Sequence, residues 1–236
     1  MSGYQRLLKA IVDDNAEEAS IALEDGGFAI GDNDFECLMK AAENGSLEVL
    51  RVLVEDSAIY GYRWDYSRIF KEPMVIAAKH GHEHLLRYAC FLASMNPQHM
   101  WLLESSATDI ILAAASSNWT ETIDFLINEA PLSIQQAFDS ETLTAAIDVA
   151  VTESHLRMAQ YLVLELPKLG VVPDVNSWSV ELANKVEAAT GKTARELSEL
   201  YERVLNFRSV YSISGSELRD ALDAAATKPS KGVGQR

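Results

Sequence analysis

The chain has 236 residues, of which 48% are hydrophobic and 23% charged, a globular composition with length for one elongated domain or two small ones. Its 35 acidic and 20 basic residues give a net charge of −15, which repels nucleic-acid phosphates and anionic lipid surfaces and argues against direct binding to either. No apolar run nears the roughly eighteen residues that span a bilayer, and the opening "MSGYQRLLKAIVDDN" turns acidic where a signal peptide needs an apolar stretch. A soluble, cytoplasmic protein is expected, or one acting inside a host cell if it is an effector or viral product.

In "LLKAIVDDNAEEASIALEDG", Ala10 and Ile11 are followed by a polar turn with Asp14, and the acidic pairs Asp13-Asp14 and Glu17-Glu18 read as a solvated helix face. "LMKAAENGSLEVLRVLVEDSA", residues 38–58, repeats the plan with paired alanines, a glycine turn and a second apolar run. The stretch 59–70, "IYGYRWDYSRIF", then gathers Tyr60, Tyr62, Trp64, Tyr66 and Phe70 with Arg63 and Arg68. It lies in a neutral middle: residues 58–110 carry five acids and five bases, between two acidic blocks.

The plan returns in "MVIAAKHGHEHLLRYACF" at 74–91, with Ala77, Ala78, Gly81 and His82. "ASMNPQHMWLLESSAT" at 93–108 is expected to be a connecting finger. Two weaker copies follow, one with Ala114, Ala115 and Asn118, the other with Ala150, Val151 and Ser154. Taking Leu7, Leu38, Met74, Ile111 and Ile147 as equivalent, the copies are spaced by 31, 36, 37 and 36 residues. Small alanines let two helices approach closely, and the polar turn reverses the chain into a helix pair. One pair cannot bury its apolar face alone, whereas adjoining pairs bury a continuous core.

Beyond the copies, "LGVVPDVN" at 169–176 reads as another turn, and "SVELANKVEAATGKTARELSELYERVLNF" as two helices, the second opened by a Thr193–Glu196 capping box. A third helix is expected near 216–226, starting from Ser216. Together they form an expected helical cap over 173–226, and the polar tail 227–236 is expected to be disordered.

The copies at 38–58 and 73–91 resemble ankyrin repeats, whose pattern runs Thr-Pro-Leu-His, Ala-Ala, Gly-His and a Val-x-x-Leu-Leu helix. Pro73, Ala77, Ala78, Gly81 and His82 stand in its places. The resemblance covers residues 4–170 or so and implies an all-α, ankyrin-type solenoid of helical hairpins over 1–172, closed by the C-terminal cap. Only the third copy keeps the proline, with Glu72 where the family has threonine.

Chemical motifs are sparse. His80 and His84 of "HGHEH" would share a face of one helix, but Gly81 and His82 fall at the turn and split them, so His82 reads as a turn residue bonded to nearby backbone. "TGKT" at 190–193 lacks the preceding phosphate-loop glycine, since Val186 stands there. "NGS" and "NWT" are formal glycosylation acceptors within turns. Cys37 and Cys90 lack disulfide or zinc spacing and are expected to be reduced and packed. No motif sets a carboxylate beside a nucleophile, so no enzyme, metal or cofactor is expected.

The resemblance implies binding of another protein by finger tips and the exposed side of the first helices. Tyr62, Arg63, Trp64, Tyr66 and Arg68 have hot-spot composition, while Tyr60 and Phe70 are expected to pack inward. The groove positions are Lys40, Glu43 and Asn44, then Ile76, Lys79 and His80, with Val149, Thr152 and Glu153 in the last copy. The expected role is a non-catalytic, monomeric adaptor or inhibitor. The alternative is an acidic nucleic-acid mimic that occupies a basic, nucleic-acid-binding protein.

Overall fold

The computed structural model describes residues 2–26, 36–59 and 70–165, together with the helical positions 195, 198 and 202. The chain divides into two compact units, Met1–Val171 and Val172–Arg236. Tyr60, Tyr62, Arg63, Trp64, Tyr66 and Arg68, the turn expected at 169–176, the tail expected to be disordered and, but for those three positions, the expected cap lie outside the described residues.

Every element among the described residues is helical, as the all-α reading expects. In chain order they are α1 (Gly3–Val12), α2 (Ala16–Gly26), α3 (Glu36–Asn44), α4 (Leu47–Ile59), α5 (Glu72–Lys79) and α6 (Glu83–Ser94). There follow α7 (Pro97–Glu104), α8 (Ala107–Ser116), α9 (Thr120–Asn128), α10 (Leu132–Gln135), α11 (Ser140–Thr152) and α12 (Leu156–Glu165). Local chemistry sets several starts. Ser2 and Gln5 form a capping box at α1, Asn96 accepts from the Gln98 amide ahead of Pro97, and Asp139 accepts from the Thr142 amide at α11.

The helices pair as α1 with α2, α3 with α4, α5 with α6, α8 with α9 and α11 with α12. The first helix of each pair packs on the first helix of the next, α1 on α3, α3 on α5, α5 on α8 and α8 on α11. Alanines permit this approach: Ala10, Ala41, Ala42, Ala77, Ala78, Ala114, Ala115 and Ala150 are all buried. Leu7, Leu38, Met74, Ile111 and Ile147, equivalent by spacing, are also buried. Cys37 and Cys90 are free and buried, and burial pushes both thiols up to about 11.

The turns within the pairs share one geometry. The non-glycine residues with positive φ among those described are Asp14, Asn118 and Ser154, at 47°, 63° and 64°, and the glycines are Gly45 and Gly81, at 76° and 75°. These five are spaced by 31, 36, 37 and 36 residues, the intervals of the sequence copies. The amide after each one closes a Schellman bond to the first small residue of its copy: Asn15 to Ala10, Ser46 to Ala41, His82 to Ala77, Trp119 to Ala114 and His155 to Ala150.

One connection departs from the expectation. Residues 93–108 form no extended finger; they hold α7, packed against α6. The Asn96 cap and Pro97 at the first helical position start a helix there, and Leu103 anchors it in the core. Trp101 and Met95 are 66% and 70% exposed, so neither fills the core. Phe70 does pack inward, 2% exposed and stacked on the His99 ring at 5.1 Å between centroids.

Candidate functional site

A Schellman turn satisfies the carbonyls three and two positions before a helix end but leaves the last ones open. Here the next pair closes one of them at three junctions. The His82 Nε2 lies 2.9 Å from the Glu43 carbonyl, the Trp119 Nε1–H donates to the Lys79 carbonyl at 3.0 Å, and the His155 Nε2 lies 3.0 Å from the Ser116 carbonyl. Each acceptor stands two residues before the left-handed residue of the preceding turn. At the first junction the shorter Ser46 side chain reaches one carbonyl further back, donating its Oγ–H to Ile11 at 2.5 Å. The Val49 amide also donates to Asp14 Oδ1 at 3.1 Å, so Asp14 is more than part of a solvated face.

These ties hold the ends of the first helices in a fixed relation and define an exposed edge. The proposed groove positions lie along it. Lys40, Glu43 and Asn44 at the end of α3 are exposed, as are Lys79 and His80 at the end of α5, with Ile76 half-buried one turn earlier. In the last pair Thr152 and Glu153 are exposed and Val149 is half-buried. The same register brings Val12 to the position of Glu43 and Lys79. Val12 is 68% exposed, an apolar side chain in water that the spacing of the copies could have revealed.

Within this edge Lys40 Nζ pairs with Glu43 at 2.7 Å, and the Asn44 amide nitrogen donates to the Lys40 carbonyl at 2.8 Å. The hydrogen bond between Lys40 and Glu43 raises the ammonium and lowers the carboxyl pKa. The His80 ring is stacked on His82, centroids 6.1 Å apart, and His84 meets His82 edge-on at 5.7 Å. His80 caps α5 and His84 belongs to α6, so the turn does split the pair. Among the described residues no three His, Cys, Asp or Glu side chains gather as metal ligands.

Other features have no signal in the sequence pattern. Arg87 on α6 makes two hydrogen bonds to Glu129 beyond α9, at 2.6 and 2.9 Å, pairs with Glu83, and lies 4.4 Å over the Phe125 ring. Tyr4 donates to Glu36, 32 residues away, and that bond leads the causes that push its phenol up to about 12.

Neither protein-family models, nor curated proteins, nor solved structures give a match to this chain. Among the described residues no helix is long and apolar enough to cross a membrane.

Proposed function

We propose that the chain is an ankyrin-type solenoid that works as a non-catalytic protein-binding module, an adaptor or an inhibitor. Its partner would lie along the exposed edge of the first helices and against the aromatic stretch at 59–70. The observation that carries the reading is the set of five Schellman turns in one register, joined to one another by side-chain ties. Such a construction presents equivalent positions of successive pairs side by side, as an extended binding surface requires.

The residues so presented are mixed in character. Lys40 and Glu43 neutralise each other, Lys79 brings a positive charge, and Val12, Ile76 and Val149 bring apolar area. That mixture suits a folded protein surface better than a small charged ligand. Tyr62, Trp64 and Tyr66 are of the residue types whose truncation in a binding hot spot costs about 2 kcal/mol or more.

The test is affinity capture with the wild-type chain and two variants, Ile76→Glu/Lys79→Glu and Tyr62→Ala/Trp64→Ala/Tyr66→Ala, with captured proteins identified by mass spectrometry. The module reading expects one protein retained by wild type and lost by both variants, at unchanged melting temperature. Capture that survives both variants would sink it. Steep loss of capture between low and moderate salt, with the aromatic variant still binding, would favour the nucleic-acid-mimic alternative.

A further inference from the structure

We propose that His82 makes the junction between the second and third helix pairs sensitive to protons, holding it closed as a neutral imidazole and loosening it when the ring takes up a second proton. The Glu43 carbonyl can only accept, so the His82 Nε2, 2.9 Å away, carries the hydrogen of the neutral ring. A further proton must go to Nδ1. That atom lies against Gly45: a Cβ built there would be 2.6 Å from Nδ1 and 2.8 Å from Cε1. No described residue offers Nδ1 a hydrogen-bond acceptor, whereas the neutral ring leaves nothing unpaired that needs one.

The surroundings give the second proton little help. His80 and His84 flank the ring at 6.1 and 5.7 Å between centroids, and His84 is itself bonded through Nε2 to the Gly45 carbonyl at 2.8 Å. From α3 come Lys40 and Glu43, already paired with each other. Lys79 ends α5, and Glu83 opens α6 but pairs with Arg87. At the start of α4, Glu48 pairs with Arg51. The following turn contributes the neutral Trp119.

Burial, the largest cause, lowers the His82 pKa from its ordinary value of 6.5, with repulsion from His84 and His80 adding and the bond to Glu43 opposing. The sign follows. An unfolded or opened chain binds this proton more readily than the closed junction, so the junction has its full strength above about pH 6.5 and weakens as pH falls below it. The following junction has tryptophan in this slot and cannot respond in the same way. Moreover, acid reduces the net charge of −15 and so relieves repulsion over the whole chain, which opposes the local effect and separates the two.

Amide hydrogen exchange of the full chain at about pH 7.5 and 5.5, corrected for intrinsic rates, reads the junction directly. Opening of α3 and α5 is expected to rise about three- to tenfold at the lower pH relative to α1 and α2, which the non-titrating Ser46 ties to the next pair. His82→Gln, which keeps an N–H for the Glu43 carbonyl but does not titrate, should abolish that rise. The same rise in His82→Gln overturns the proposal, as does its absence from wild type. If the variant fails to fold, NMR titration of the His82 ring in wild type decides: a midpoint below that of free histidine supports the proposal, and one at or above it overturns it.

Discussion

The indole of Trp119 covers Gly81 so closely that a Cβ added to the glycine would lie 2.3 Å from the ring, while the same indole donates Nε1–H to the Lys79 carbonyl at 3.0 Å. One side chain thus packs on a turn and completes the hydrogen bonding of the helix that ends there. His82 stands in the same relation to Gly45 and Glu43.

Gly81→Ala is therefore expected to cost more than an ordinary glycine replacement. The left-handed φ of 75° alone penalises an L-residue by about 1–2 kcal/mol, and the indole must also move. Urea denaturation should show a loss of about 2–4 kcal/mol, with the slope unchanged. A loss below about 1 kcal/mol would mean that the indole gives way freely.

Ser154 is the converse case, a side chain held at φ 64° where the family of turns accepts glycine. Ser154→Gly should stabilise the chain by about 0.5–1 kcal/mol, strain relief outweighing the added freedom of the unfolded backbone. The same denaturation measurement checks it.

Trp119→Phe keeps most of the ring over Gly81 but removes the donor to Lys79. A loss of about 1 kcal/mol is expected from the unpaired carbonyl. Trp119→Ala should lose more, since the turn then loses its cover as well. Equal losses in the two variants would show that the hydrogen bond carries the whole effect.

The Arg87–Glu129 contact should depend on pH in a defined direction. Its hydrogen bond holds the Glu129 carboxyl below the usual carboxylate range, so the coupling is fully present above that range and fades as pH falls through the lowered value. A double-mutant cycle with Arg87→Met and Glu129→Gln at about pH 7 and about pH 3 should show coupling at the first and little at the second. Because both groups are largely exposed, salt should weaken it too.

Much of the first unit was legible because its signals are local. Paired alanines mark where helices touch, and Asp14, Asn118 and Ser154 could be matched to the glycines because few residue types tolerate a left-handed backbone. Their spacing yields the pair register without coordinates. The same logic misread residues 93–108: the register of the copies left them as a finger between two helix pairs, although Asn96 and Pro97 together form a helix start.

What the sequence determined by itself was the helical class, the paired plan and the positions of the turns, all consequences of preferences within a few neighbouring residues. Only the tertiary structure decided how one pair is held to the next. Histidine, tryptophan and histidine occupy the same slot and do the same work, while the serine in that slot ties a carbonyl already bonded within its turn, and Arg87 meets a glutamate 42 residues away. No residue pattern announces such contacts, because what selects them is reach to an unpaired carbonyl or carboxylate that becomes a neighbour only once the helices have packed.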